Sequence, residues 1–340
     1  MKTTMNDIAK LAGVSRTTVS RVLSGNYKKI RISALTADKV LRIAREKDFH
    51  PDALAKSLQS SKTKTIGVIV TDIANPFFAR IARSIEKRLD SANYSMILCN
   101  TDEKMETEAK YIRLLLSKRV EGLIVCPSGF EDENIAGLAK NNFPLVLIDR
   151  YIKGVNCSYV ASDNYNGAKR AVEYLIEEGH TRIGFLGGRE DSSSNRERKK
   201  GYRDALKNNE IKYSAELELN LGFDKESGER GMDIFLALNK RPTAVFAANN
   251  FLCLGALLSM KKNKVNMPEE ISLVEFDETD LSRFGDTAVT SVLQNAEEIG
   301  EKAAEIILKI LSGGRAEQLI IPVMMTKRNS VQRPKIKILA

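Results

Sequence analysis

The sequence predicts an α/β protein: a small helical head, then a core of doubly wound parallel sheet, long enough for two such units. Three observations predict it. From Thr65 onward continuous apolar runs alternate with amphipathic helical stretches, the pattern of parallel strands buried on both faces. Ahead of them residues 4–26 read "TMNDIAKLAGVSRTTVSRVLSGN", two brief amphipathic helices around a glycine, too small to fold alone. The net charge of +9 is also confined: residues 1–64 hold 14 Lys+Arg against 5 Asp+Glu, and the remaining 276 residues balance to zero. A chain of 340 residues is long enough for two or three cores. A basic head on a neutral body favours binding of a polyanion by the head.

The head reads as three helices. Thr4 and Asp7 have the spacing of a helix start, and Met5, Ile8, Leu11 and Ala12 follow at helical period. Gly13 breaks the run, and Ser15 opens a second helix by capping it. Val19, Val22 and Leu23 face inward on that helix, whereas Arg16, Thr17, Ser20 and Arg21 share the opposite arc, with Thr18 beside them. Two arginines and several hydroxyls with no acid suit the DNA major groove, where Arg donates twice to guanine and Thr meets bases or the thymine methyl. Ser33 then caps a third helix whose Val40, Leu41, Ile43 and Ala44 close the core. The loop "YKKI" at 27–30 adds basic residues near where a phosphate backbone would run.

"NDIAKLAGVSRTTVSRVLSGN" strongly resembles the N-terminal signature of the LacI/GalR (lactose-repressor-like) family of bacterial transcription regulators. The resemblance continues through "HPDALAKSLQSSKTKTIGVIVTDIANPFFA" and, more weakly, to the C-terminus. It implies a DNA-binding head at 1–50, with Thr4, Ser15, Arg16, Thr17, Thr18, Ser20 and Arg21 among its contacts. It also implies a hinge helix and linker at 51–64, where Ala55 contributes and Leu58 stands at the family's minor-groove wedge position. Packing of Leu58 against the body is the alternative. Ordering about eight hinge residues costs on the order of 10 kcal/mol of backbone entropy per chain, so DNA and a second hinge must offset it. The body, 65–340, then resembles a type I periplasmic-binding-protein core. Its N-lobe covers about 65–162 and 294–322 and its C-lobe about 163–291 and 325–340, with crossovers near 161–163, 291–294 and 322–325.

Ligands of open α/β sheets bind beyond the carboxyl ends of the strands. Asp72, Asn75 and the pair Phe77–Phe78 follow "TIGVIV", and Asp149 and Arg150 follow "PLVLI". Arg198 lies in the stretch after "RIGFLGG", Phe223 in "LGFDKESG", Asn249 and Asn250 after "AVFAA", Asp277 after "SLVEF", and Gln294 beside a crossover. Carboxylates, amides, arginines and rings converging on a cleft suit a polyhydroxylated ligand. The effector set is therefore Asp72, Phe78, Arg150, Arg198, Phe223, Asn249, Asp277 and Gln294. Asp149 and Asn250 fit a helix cap as well as a ligand contact, and Phe77 fits the core. Arg150 and Arg198 motivate a sugar acid such as gluconate or ketodeoxygluconate. The chain departs from the family pattern at Glu275, Asn250 and Asn295, where Gly, Asp and Pro are usual.

Other classes lack their marks. A transport receptor would need a signal peptide, and "MKTTMNDIAK" has no apolar region. An enzyme would need a catalytic dyad or phosphate loop, and "GFLGG" has neither the spacing nor the Lys. His50 and His180 have no visible partner, and the four cysteines have neither a CxxC spacing nor a nearby His, so no metal, cofactor or disulfide is expected. No apolar run approaches the roughly 20 residues of a membrane span. The expectation is a cytoplasmic homodimer, since no leucine-heptad tail follows "KIKILA", that binds a pseudo-palindromic double-stranded DNA operator. A sugar or sugar-acid effector sets operator affinity, by induction or corepression. The alternatives are a sugar-binding receptor and a corepressor-dependent regulator with a non-sugar ligand.

Overall fold

A computed structural model describes residues 3–23, 27, 30, 32–49, 63–129, 132–284 and 287–334. The chain divides into two compact units, residues 1–63 and 64–340. The first holds α1 (Met5–Ala12), α2 (Arg16–Leu23) and α3 (Ala34–Glu46). Thr4 and Asp7 form a capping box: Asp7 N donates to the Thr4 hydroxyl at 3.3 Å and Thr4 N to the Asp7 carboxylate at 2.9 Å. Gly13, at φ 69°, ends α1 in the left-handed region that glycine enters without steric cost. Ser15 caps α2 by accepting from Thr18 N at 3.1 Å, and Ser33 caps α3 by accepting from Thr36 N at 3.2 Å. Ile8, Val19 and Val40 meet in the centre with no exposed surface. Ala55, Leu58 and His50 lie outside the described residues, with the rest of 50–62.

The second unit begins with β1 (Thr65–Val70), α4 (Pro76–Asp90), β2 (Ser95–Asn100), α5 (Met105–Ser117), β3 (Gly122–Val125), α6 (Glu133–Lys140), β4 (Leu145–Ile148) and β5 (Ser158–Ser162). There follow α7 (Asn164–Glu177), β6 (Ile183–Gly187), α8 (Ser193–Asn208), β7 (Glu218–Asn220), α9 (Lys225–Ala237), β8 (Ala244–Ala247), α10 (Asn250–Lys262), β9 (Ser272–Phe276) and α11 (Asp280–Phe284). The chain closes with β10 (Thr290–Leu293), α12 (Ala296–Leu311), β11 (Gln318–Ile321) and β12 (Met324–Thr326). One sheet has the order β11-β5-β4-β3-β1-β2, parallel throughout. The other has the order β12-β10-β9-β8-β6-β7, parallel except that β12 runs against β10. The chain passes between lobes after β5, after β10 and after β11.

Each sheet reverses its winding beside its first strand, with β2 and β3 flanking β1 and β7 and β8 flanking β6. Those are the points where an open sheet leaves a crevice at its carboxyl edge. The central strands are buried along their length, as the apolar runs predict. The run "SSN" opens α8 ahead of Arg198, with Ser193, Ser194 and Asn195 buried. One detail differs from the sequence reading. Asp149 caps nothing: β4 runs through an irregular loop into β5 with no helix between them.

Candidate functional site

A cavity of about 540 Å³ opens between the two sheets at their carboxyl edges. The first lobe supplies Thr71 and Asp72 after β1, Phe77 and Phe78 in the first turn of α4, Asp102–Lys104 after β2, and Asp149–Arg150 after β4. The second lobe supplies Arg189, Ser194 and Arg198 after β6, Leu221–Asp224 after β7, Asn249 and Phe251 after β8, and Asp277 after β9. Of the expected effector set, Asp72, Phe78, Arg150, Arg198, Phe223, Asn249 and Asp277 all line this one space. Gln294 does not. It stands behind the wall and donates from its amide to the Asp277 carboxylate at 2.5 Å, which fixes the direction in which Asp277 points.

Arg198 is almost fully buried, with its guanidinium 3.8 Å from the centre of the Phe276 ring. Its Nε donates to the Asn164 side chain at 2.8 Å and one terminal nitrogen donates to the Ala248 carbonyl. Burial lowers its pKa, against the opposing pull of Asp277 and Asp149. The reverse holds for the two acids. Burial raises Asp149 more than Arg150 and Arg198 lower it, and raises Asp277 more than Arg198 and Gln294 lower it. Carboxylates in this state gain most from a ligand that donates hydrogen bonds to them.

Asn249 caps α10, accepting from Leu252 N at 2.8 Å, and its amide also donates to the Phe223 carbonyl at 2.9 Å. The cap is therefore Asn249, and Asn250 has a different task. Asn75 and Asn250 exchange two amide hydrogen bonds across the lobes, at 3.2 and 3.0 Å. This reciprocity explains the departure at 250: an Asp there could accept from Asn75 but could not donate back. Glu275, the other buried departure, has no exposed surface and accepts from the Ser291 hydroxyl at 2.8 Å.

Sequence reasoning missed Glu103 and Arg189. The Arg189 guanidinium donates to the Glu103 carbonyl across the cleft at 2.6 Å, and Glu103 pairs with Arg150 through both carboxylate oxygens at 2.7 Å. Glu103 stands in a short polar turn between β2 and α5, and no periodicity marks it. Arg189 belongs to the stretch that yielded Arg198, where residue type alone could not choose between them.

In the head, Thr4, Ser15, Arg16, Thr17 and Arg21 are exposed, and Thr18 and Ser20 are half-buried. Arg16, Thr17, Ser20 and Arg21 lie on the side of α2 opposite the buried Val19 and Val22. Thr18 spends its hydroxyl on Ser15, at 2.9 Å. A capped pair of helices at a glycine corner, the second bearing an acid-free basic face, has the form of a major-groove reader.

A sequence-reading head and a two-lobed cleft define a ligand-responsive DNA-binding protein. Residues 4–52 match the family model of bacterial regulatory proteins, lacI family. Residues 63–329 match the model of periplasmic binding proteins and sugar binding domain of LacI family. The chain belongs to the LacI family, and it is a DNA-binding transcriptional regulator. It is 32% identical over 338 residues to the HTH-type transcriptional repressor PurR of Aliivibrio fischeri, across 98% of this chain and 99% of that one. It is similar to the lac repressor dimer bound to operator and the anti-inducer ONPF, with a TM-score of 0.87 and 26% identity over 98% of this chain and 100% of that one. It is also similar to the CelR–cellobiose complex, with a TM-score of 0.74 and 27% identity over 97% and 100% of the two chains. Among the described residues no helix is long and apolar enough to cross a membrane.

Proposed function

We propose that this protein represses a carbohydrate-utilisation operon, with its operator affinity set by a small sugar bound between the lobes. The observation that carries this reading is the convergence of Asp277, Asn249, Asp72 and Arg198 with the Phe223 ring on one cavity. Acceptors and donors set around an aromatic face suit hydroxyls on one side of a sugar and its apolar face on the other. CelR, similar over nearly the whole chain, is known with cellobiose in its complex.

The protein acts in the cytoplasm, as a homodimer, by binding rather than by turnover. Pairing is supported by β2, an outer strand on which Ile97 and Leu98 are exposed and which a second copy would cover. Arg16, Thr17, Ser20 and Arg21 read base edges, Thr4, Ser15 and Thr18 set the helices that carry them, and Ala55 and Leu58 act at the minor groove. A thermal-shift screen of the full chain against sugars, sugar acids, sugar phosphates and nucleobases tests the ligand class. The reading requires a sugar to stabilise the protein and to change its affinity for an inverted-repeat operator. A response confined to nucleobases would replace it.

A further inference from the structure

The Glu103–Arg150 pair occupies the place that the sugar-acid expectation reserved for a ligand carboxylate. Arg150 is 5% exposed. One terminal nitrogen donates to Glu103 Oε2 at 2.7 Å and to the Pro127 carbonyl at 3.2 Å, and the other donates to Glu103 Oε1 at 2.7 Å. Its Nε, within 3.4 Å of Asp149 Oδ2, makes no hydrogen bond. The Phe223 ring lies 4.8 Å from the guanidinium, so one face is covered as well. The two parallel N–H groups that recognise a planar carboxylate are thus filled from within the chain.

Glu103 is also held in place by its backbone. Asp102 and Glu103 both stand in the left-handed region, at φ 52° and 58°, two non-glycine residues in succession. The turn is fastened by Asn100, whose amide donates to Asp102 at 2.5 Å and whose carbonyl oxygen accepts from Ile73 N at 2.7 Å. Arg189 of the other lobe holds the Glu103 carbonyl. Such a carboxylate competes as an intramolecular ligand, so a free anion must displace a group already held at the fork. An anion that displaced it would leave Glu103 beside Asp102 and Asp149 in a cavity whose lining carries six carboxylates and four cations. Arg198 spends its Nε and one terminal nitrogen on Asn164 and Ala248, which leaves the other terminal nitrogen for a ligand hydroxyl but no second fork for a carboxylate.

We propose that Glu103 is a specificity-determining residue: it fills the Arg150 fork and restricts the cleft to neutral polyhydroxylated ligands. This deepens the reading of the cleft as an effector site and rests on it. The test uses the full chain as wild type, Glu103→Ala and Glu103→Gln, at constant ionic strength with chloride as control anion. Calorimetry and thermal shift follow propionate, a free copy of the missing side chain, and the pairs glucose and gluconate, ribose and ribonate, and galactose and galacturonate. Glu103→Ala should bind propionate saturably, at least roughly tenfold more tightly than wild type, the scale of one charge-assisted contact. Glu103→Gln should shift preference toward the acid of each pair. Equal propionate affinity in wild type and Glu103→Ala, or a wild type that prefers an acid to its neutral parent, overturns the proposal. Should Glu103→Ala fail to fold, Glu103→Gln decides alone, and anion affinity unchanged from wild type refutes it. Propionate rescue in a protein that answers no sugar would uphold the anion barrier while removing the sugar reading.

Discussion

Asp277 lies in the left-handed region at φ 69°, with Gln294 donating to one carboxylate oxygen and Arg198 close enough to pull on its pKa. Removing either charged partner of this buried set strips the ligand of a charge-assisted contact and leaves the other charge uncompensated. Asp277→Asn and Arg198→Ala should each lower effector affinity by roughly 1.5–3 kcal/mol while operator binding without ligand stays near wild type. Paired calorimetric and operator titrations check both halves. Two positions along β9, Glu275 gives a pH signature. Burial raises its pKa from 4.5 to about 7, against the lowering effect of its hydroxyl donors, and Oε2 has no hydrogen-bond partner. Below the unfolded value both states hold the proton. Above about 7 only the native state keeps a buried charge, so stability falls as pH rises from about 4.5 through about 7. Glu275→Gln should therefore be more stable than wild type at pH 8, by on the order of 3 kcal/mol, and close to it at pH 4. Urea unfolding at the two pH values measures the difference.

At the scale of elements, α2 makes the sharpest claim. Arg16→Ala or Arg21→Ala should weaken operator binding by roughly 1–3 kcal/mol and relax preference at one base pair if the side chain reads a base edge. Even weakening across all sequences would place that arginine on phosphate instead. The pair α9 and α10 depends on a close approach, because a Cβ at Gly255 would lie 2.0 Å from the Lys225 carbonyl and 2.5 Å from Glu229 N. Backbone cannot yield as a side-chain tip can, so Gly255→Ala should cost about 1–3 kcal/mol or more, read as a lower urea midpoint with unchanged slope. The central strands were legible because burial on both faces leaves an unbroken apolar run. The outer strands β7, β11 and β12 are short and partly exposed, so they leave no such run. The cap of α10 was misplaced between Asn249 and Asn250 because both residues have cap chemistry. Only the approach of Asn75 from the other lobe separates their roles. Cavity-lining residues that follow the apolar runs were legible in the sequence; Glu103, set by a turn and by an ion pair to Arg150 within its own lobe, was not.

Across the whole molecule, charge and cleft divide the work. The excess of +9 belongs to the first 64 residues, so operator affinity should fall steeply with salt, while ligand affinity at a cavity of mixed sign should scarcely change. Titration of both at two ionic strengths separates them. The lobes are tied by Asn75–Asn250, by Arg189 on the Glu103 carbonyl and by Tyr151 N donating to Ser193 at 3.0 Å. A ligand can shift operator affinity only by its preference for one arrangement of those lobes over another, commonly about 1–3 kcal/mol of coupling. That coupling is read most directly by operator titration of wild type and Arg198→Ala, each with and without a saturating concentration of the sugar found by screening. Wild-type affinity should move by roughly fivefold or more, and the Arg198→Ala value should stay fixed at the ligand-free wild-type level. If sugar leaves wild-type operator affinity unchanged, or moves both proteins equally, the cleft does not govern the head.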